Sequence, residues 1–174
     1  MKFEKLSVLI YQTHLALQDN AVKAVNRALT MRNWLIGYYI VEFEQHGEDR
    51  AAYGEQLLKN LESRVAEKGL NETLFKVSRR FYQEYPQMAE LFPVYSSQIR
   101  ATLSTDLQKV DEGLVRTVDK IRATLSPQLL TSAEKLVANL SFSHIREMLT
   151  VDNPLQRFFY ETECIKCGWS VRKM

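Results

Sequence analysis

The sequence of 174 residues predicts an all-α protein, a multi-helix bundle that contains a helix-turn-helix-like unit. Between the glycines and prolines, apolar residues recur every three or four positions, as they do along one face of a helix. No Asn-Gly or Asp-Gly hairpin occurs, and β-branched residues form no run of strand length. The 45% apolar composition is sufficient for a packed core at this length.

The N-terminal helical part is predicted to cover residues 1–93, with the helix-turn-helix-like unit at 50–85. A first helix is expected near 3–17, and a long one near 20–46 that Gly47 ends. The long helix carries one apolar stripe, formed by Val22, Val25, Leu29, Ile36 and Ile40.

Two capped helices make up the helix-turn-helix-like unit. Asp49 is placed to cap a helix over about 50–67, which Gly69 closes. Asn71 caps the next helix, which must end near Tyr85 because the following proline disfavours a helical conformation before it. A helix, a tight turn and a second helix follow one another, as in DNA-binding helix-turn-helix proteins.

Residues 94–130 are predicted to form a long connecting amphipathic helix. Its apolar positions average about 3.67 residues apart, which favours a nearly straight helix over a left-handed coiled coil. This stripe could pack on the chain's own core or on another chain. Its members are Leu103, Leu107, Val110, Leu114, Val118, Ile121 and Leu125.

The C-terminal helical part, residues 131–174, begins with the sequence Thr131-Ser-Ala-Glu134. This is the pattern of a capping box, in which the Thr hydroxyl and the Glu carboxylate bind free backbone donors. A helix to about Leu140 should follow, and then a short helix capped by Ser141 or Ser143.

The last predicted full helix begins at Asn153, its cap, with a proline in the first helical position. Gly168 lies just past its end. Ser170 is predicted to cap a further helix, and because only four residues follow it we expect this last helix to be cut short.

Composition excludes several classes of protein. The formal net charge of +2 is far from the strongly basic balance of a protein that coats nucleic acid by charge alone. The longest uncharged apolar stretches, such as residues 34–41, are too short to span a bilayer. The N-terminus has no apolar segment before a small-residue cleavage site, so we expect a cytoplasmic protein without a membrane partner.

A metal site is disfavoured by the sequence. Cys164 and Cys167 form one Cys-x-x-Cys pair, whereas a closed zinc site needs four ligands and usually a second such pair. Glu42, Glu44 and His46 are close in sequence, but alternate residues on a helix point about 200° apart. We therefore expect neither metal nor cofactor.

The helix that Asn71 caps carries the main candidate for DNA contact. On a helical projection, one face is apolar and the opposite face presents cations and an amide. Such groups neutralise phosphates or read base edges. The prediction depends on these cations being free of acidic partners. The candidate residues are Lys76, Arg79, Arg80 and Gln83.

A second candidate lies near the predicted short helix of the C-terminal part. Ser143, His144 and Arg146 stand at its N-terminal end, where backbone donors favour an anion. Arg172 can add charge near the C-terminus. Structural roles remain open for these residues, since Arg146 can pair with Glu147 and His144 can act as a cap or pack.

Several groups of residues resemble the N-terminal domain of the YhcG family, bacterial proteins whose longer members carry a C-terminal PD-(D/E)XK nuclease domain. The resemblance covers most of the chain except about 94–130. It implies a helix-turn-helix type of fold and a DNA-associated role. Its principal stretches are residues 34–42, Tyr53-Gly54, Phe81-Tyr82, residues 140–149, Phe159-Tyr160 and residues 168–172.

A shorter resemblance covers the 33 residues 140–172. The elements Leu140-Ser, Ser143-His-x-Arg146 and Trp169-Ser-Val-Arg172 are similar to a pattern in the helical DNA-binding region of ParB-like partition proteins. This resemblance implies the same class of ligand, DNA.

The sequence offers no catalytic centre. A PD-(D/E)XK nuclease needs a lysine two residues after a metal-binding carboxylate, and no Asp or Glu of this chain has one. Phosphate-loop, Gly-x-Ser-x-Gly and His-Glu-x-x-His motifs are also missing. We therefore expect a non-enzymatic protein that lacks the family's nuclease part.

Two functions remain open at the level of the sequence. The first is a non-catalytic module that binds double-stranded DNA, alone or for a nuclease domain or subunit. The second is a protein interaction or dimerisation module without nucleic-acid binding. A homodimer is compatible with both, because two symmetry-related recognition helices can bind DNA half-sites.

Overall fold

A computed structural model describes residues 2–47, 54–91 and 130–174. Within these ranges the regular structure is helical and no strand occurs, which confirms the predicted all-α bundle. Short 3-10 segments at Gly54–Gln56, Pro86–Leu91 and Val171–Lys173 accompany the helices. The α-helices are α1 (Phe3–His46), α2 (Leu57–Val65), α3 (Glu72–Glu84), α4 (Ala133–Asn139), α5 (Phe142–Met148) and α6 (Pro154–Cys167).

The N-terminal helix α1 is a single helix of 44 residues, about 65 Å long. The prediction of two helices, 3–17 and 20–46, is wrong. The polar residues between them include neither glycine nor proline, and a helix that has begun extends at little cost. Across the expected break, Lys23 Nζ lies 2.7 Å from the Asp19 carboxylate one turn away.

The helices α2 and α3 have the predicted order, but α2 ends at Val65, earlier than expected. Ala66 takes the left-handed conformation that ends the helix, and Gly69, with φ +89°, lies in the turn that follows. The Asn71 cap is confirmed, because its side chain accepts a hydrogen bond of 2.8 Å from the Leu74 amide. The predicted cap Asp49 lies outside the described residues.

The C-terminal part departs from prediction at its first cap. The expected capping box does not form: α4 begins after Ser132, and the Thr131 hydroxyl donates to Glu161 over 2.7 Å. Ser141 caps α5 and Asn153 caps α6, as predicted. Gly168, with φ +59°, ends α6.

The main core forms where the second half of α1 meets α3, Pro86–Leu91, α4 and α5. The Trp34 indole donates to the Tyr85 carbonyl over 3.0 Å, and its ring lies 5.2 Å from that of Tyr82. Described residues on both sides of the connecting segment 94–130 therefore share one core. That segment, except Leu130, lies outside the described residues.

Their helical spacing among other apolar residues predicts core positions for the aromatic residues Trp34, Phe81, Tyr82, Phe159 and Trp169, and most of these positions are internal. Trp34, Phe81 and Tyr82 are buried, and Trp169 packs on the core partly buried. Phe159 is 57% exposed, so its predicted core position is wrong. It lies on the side of α6 away from the other helices, where helical spacing among apolar residues was a misleading signal.

Candidate interaction surfaces

The outer face of α3 holds the main predicted DNA-contact residues. Gln83 is exposed, while Phe81 on the opposite side is buried, as the helical projection predicts. Each of the three cations, however, forms an ion pair with an acid. The pairs are Lys76 with Glu72 (2.7 Å), Arg79 with Glu44 (2.7 Å) and Arg80 with Asp152 (2.6 Å).

These ion pairs bring the charge of the face close to zero. The condition on which the DNA-contact prediction depends, cations without acidic partners, is not met. The side chains of the cations remain 39–60% exposed, and surface pairs of this kind contribute only about 0–1 kcal/mol. The hydrogen bond from Lys76 lowers the pKa of Glu72, which keeps that carboxylate charged.

The second predicted cluster is taken up largely by contacts within the fold. Nδ1 of His144 accepts from the Ser141 amide over 3.2 Å, and its Nε2 lies 3.0 Å from the Trp169 carbonyl oxygen. His144 thus fixes the start of α5 to the chain after α6. Arg146 lies 3.6 Å from Glu147, while Ser143 and Arg172 are exposed.

The N-terminal half of α1 is the largest feature that the sequence predictions missed. Its apolar side chains are exposed, including Val22, Val25 and Leu29 of the predicted stripe, although Ile40 further along is buried. The exposed large apolar residues of α1 up to Leu29 are Phe3, Leu6, Val8, Leu9, Ile10, Tyr11, Leu15, Leu17, Val22, Val25 and Leu29.

An apolar groove of about 500 Å³ lies between α1 and α2, and Phe75 of α3 also lines it. Its wall on α1 is formed by Ile36, Tyr39 and Phe43, and its wall on α2 by Leu61 and Val65. Tyr39 and Val65 are each 42% exposed, so the groove opens to solvent.

A buried polar cluster connects α3 and α6 with Thr131, which precedes α4, and with Val151. Arg157, only 5% exposed, donates to Glu84 over 2.6 Å and to the Val151 carbonyl oxygen over 3.0 Å. Glu161 is also buried, and its burial raises the pKa of its carboxyl group despite the hydrogen bond from Thr131. These groups are satisfied by one another, which indicates a structural role.

The described residues offer no group of three or more His, Cys, Asp or Glu side chains that could hold a metal ion. Cys164 is buried, and burial raises the pKa of its thiol. Cys167 is exposed, with its Sγ 3.8 Å from the Glu163 carboxylate. In the same ranges, no helix has the length and apolarity needed to cross a membrane.

Comparison with protein families identifies the class of this helical domain. Residues 10–174 match the DUF1016 N-terminal domain, and the chain belongs to that family. A similar curated protein is the putative nuclease YhcG of Escherichia coli (strain K12), 33% identical over 166 residues. The match covers 90% of this chain and 39% of that protein, and no solved structure matches.

The family resemblance seen in the sequence is therefore confirmed, and the structure shows what several of its residues do. The Trp34 and Tyr82 rings pack against each other in the core at an angle of 60°, and Gly37 lets α1 approach the Ser78 carbonyl closely. His144 and Trp169 join α5 to the C-terminal turn. These residues maintain the fold.

Proposed function

We propose that this chain is a non-catalytic assembly module of a nuclease-associated protein, which joins protein chains through the exposed apolar side of α1. One observation carries the proposal. Between Phe3 and Leu29, eleven large apolar side chains are 38–82% exposed, and six of them follow one another along one side of the helix: Val8, Tyr11, Leu15, Val22, Val25 and Leu29. Monomeric proteins rarely expose a contiguous apolar patch above a few hundred Å², and larger patches are typical of interaction sites.

The family relationship supports the nuclease association. The chain spans about two-fifths of the length of the relative named putative nuclease YhcG. It also lacks the Asp/Glu-x-Lys pattern that a PD-(D/E)XK nuclease needs. We infer that a nuclease domain or subunit is a partner of this module, and that association through α1 brings such domains together.

Association through α1 predicts a mass above 20.3 kDa for the native chain in solution. Light scattering at tens of micromolar protein should give about twice that value. Replacing Leu15 and Val22 by glutamate should return the mass to one chain, because carboxylates cannot be buried in an apolar contact without partners. Both side chains are about half exposed, so the fold should tolerate the change.

The matched control is Ala16→Glu with Asn20→Glu, which adds the same charge to the same helix. These positions are exposed and lie about 100° and 140° around the helix from Leu15, on its polar side. The control should keep the native mass, and circular dichroism should show equal helix content in all three proteins. A native chain that remains monomeric at high concentration would contradict the proposal.

DNA contact by the outer face of α3 is the second candidate function. The observation that favours it is the exposure of Gln83 and of the paired cations Lys76, Arg79 and Arg80, whose carboxylate partners a phosphate can replace at small cost. Ser143, Arg146 and Arg172, also exposed, belong to the same proposal. His144 would support Ser143 and Arg146 by holding the start of α5.

If α3 contacts duplex DNA, the acids and the cations of its ion pairs should have opposite effects. Lys76→Ala with Arg80→Ala should weaken binding and lower the slope of log affinity against log salt by about 0.9 for each phosphate that is no longer neutralised. Glu44→Gln should strengthen binding, because it frees Arg79. Fluorescence anisotropy with a labelled duplex at two salt concentrations measures both effects. No binding at micromolar protein in low salt would exclude this candidate.

A further inference from the structure

A coiled-coil seam runs along the exposed apolar side of α1. Its positions alternate in spacing between three and four residues, which is the heptad pattern of a left-handed coiled coil. Six of the seven members are apolar and 40–63% exposed. The members are Val8, Tyr11, Leu15, Gln18, Val22, Val25 and Leu29.

The same spacing continues past the seam into the apolar groove. After Arg32, the next positions of the series are Ile36, Tyr39 and Phe43, and these three residues form the groove wall on α1. The seam and the groove are therefore one continuous surface of α1. A helix that packs along the seam therefore also packs in the groove, which lies beside the second half of α1.

We infer that this surface is occupied by a second copy of the chain, whose α1 packs antiparallel to the first. The inference rests on the proposed assembly function and names its partner. In such a pair, the N-terminal half of each α1 lies along the seam of the other and enters its groove. The two contacts are related by a two-fold axis, so one surface supplies both sides of the interface.

The charges beside the seam favour a second copy over a different partner. Flanking positions in coiled coils select partners through charge. Here they hold Gln12, Asp19 and Asn26 on one side, and His14, Ala21 and Ala28 on the other. Asp19 already pairs with Lys23, so two identical helices have little repulsion to overcome and no charge pattern selects a foreign helix.

The shape of the groove favours the antiparallel direction. The N-terminal half of α1 has exposed apolar side chains that can pack on the groove walls formed by α1 and α2. The second half of α1 is already packed against α3 and is not available to fill the groove of another copy. A parallel pair would place the two grooves against each other, without an N-terminal half to fill either one.

Heptad geometry gives the antiparallel pair a testable register. The residues of the seam alternate between two heptad positions, and in an antiparallel pair a residue at one position faces a residue at the other. A register that fills the groove therefore places Val8 beside Tyr39 and Tyr11 beside Ile36 of the other copy. In this register, two Val8 residues are about 45 Å apart. In a parallel pair they would be in contact.

Thiol cross-linking in the full chain distinguishes these arrangements. In a Cys167→Ser background, which removes the exposed native thiol, Val8→Cys and Tyr39→Cys are prepared as separate proteins. With a short bismaleimide, each protein alone should stay uncross-linked. An equimolar mixture should give a covalent dimer, up to about half of the protein, because only mixed pairs carry both thiols side by side.

The results separate this inference from the proposed function. A dimer cross-linked by Val8→Cys alone would show a parallel pair, and no cross-link in the mixture, despite a dimeric mass, would show another contact. Either result overturns the antiparallel inference and leaves the assembly function standing. A monomeric mass in light scattering overturns both. Asn20→Cys, on the polar side of α1, replaces Val8→Cys in a control mixture and should not cross-link.

Discussion

Replacing Gly37 by alanine is expected to lower the free energy of unfolding by about 2–3 kcal/mol, an effect of overpacking. A Cβ atom at this position would lie 1.9 Å from the carbonyl oxygen of Ser78 and 2.6 Å from its carbonyl carbon. Both are backbone atoms of α3, so no side-chain rotation relieves the contact. The helices α1 and α3 must move apart, which loosens the packing of Trp34 and Tyr82 between them.

Helix propensity alone predicts the opposite effect, that Gly37→Ala raises the free energy of unfolding. Alanine in a helix interior is favoured over glycine by about 1 kcal/mol, so an exposed glycine would be better replaced. At Gly37 the close approach of Ser78 outweighs helix propensity, so the substitution is expected to lower the free energy of unfolding. The control is Asn20→Ala, an exposed position on the polar side of the same helix, where propensity alone acts and a small gain in stability is expected.

Urea denaturation followed by circular dichroism measures both changes. The Gly37→Ala protein should unfold at clearly lower urea than the native chain, and the Asn20→Ala protein at equal or slightly higher urea. A Gly37→Ala protein as stable as the native chain would show that α1 and α3 do not approach each other this closely.

Local signals predicted the helix boundaries well where one residue determines the backbone. Asn71 and Asn153 cap their helices, and Gly168 adopts the left-handed conformation that ends α6. The break predicted near Asp19 failed for the converse reason. No residue there requires a non-helical conformation, and polar side chains are readily accommodated on an exposed helix.

Contacts between residues far apart in sequence could not be predicted from local sequence patterns. The Thr131 hydroxyl is drawn away from its predicted capping role by Glu161, which is 30 residues further along the chain. A buried carboxylate requires such donors more than an exposed helix end does. The capping-box motif is present in the sequence, but the Thr131 hydroxyl forms a tertiary hydrogen bond instead of capping the helix.

In the candidate sites too, features that depend on neighbouring residues could be predicted, whereas contacts between residues far apart in sequence could not. The projection of α3 separated its exposed and buried faces correctly, but the partners of Arg79 and Arg80 are 35 and 72 residues away in sequence. The pair of Lys76 with Glu72, one turn apart, was readable from the sequence. The alternating three- and four-residue spacing of the seam on α1 can be recognised in the sequence. The solvent exposure of its side chains can be recognised only in the folded structure.

Replacing Arg157 by methionine is expected to lower the free energy of unfolding by about 2–4 kcal/mol, less than the roughly 3–5 kcal/mol for breaking a fully buried ion pair, because Glu84 is 35% exposed. The guanidinium donates to Glu84 over 2.6 Å and to the Val151 carbonyl oxygen. Methionine fills much of the same space but supplies no donor. The substitution therefore leaves the Glu84 carboxylate and the Val151 carbonyl without their partner.

The loss should depend on pH because of Glu161. Burial raises the pKa of Glu161, and the charge of Arg157 opposes this rise. Without Arg157 the pKa of Glu161 rises further, so the folded protein holds a proton that the unfolded chain has released. Stability then falls as the pH increases above about 4.3, the ordinary pKa of Glu. The Arg157→Met loss should be larger at pH 7 than at pH 4.5.

Chemical denaturation at these two pH values tests the prediction, with Arg157→Met and Glu161→Gln combined as the matched protein. Glutamine keeps the shape of the side chain and an acceptor for Thr131, but it does not titrate. The double substitution should therefore remove much of the extra loss at pH 7. An equal loss at both pH values, with or without Glu161→Gln, would show that Arg157 contributes through packing and its bond to Val151, and that the charge of Glu161 is compensated by other means.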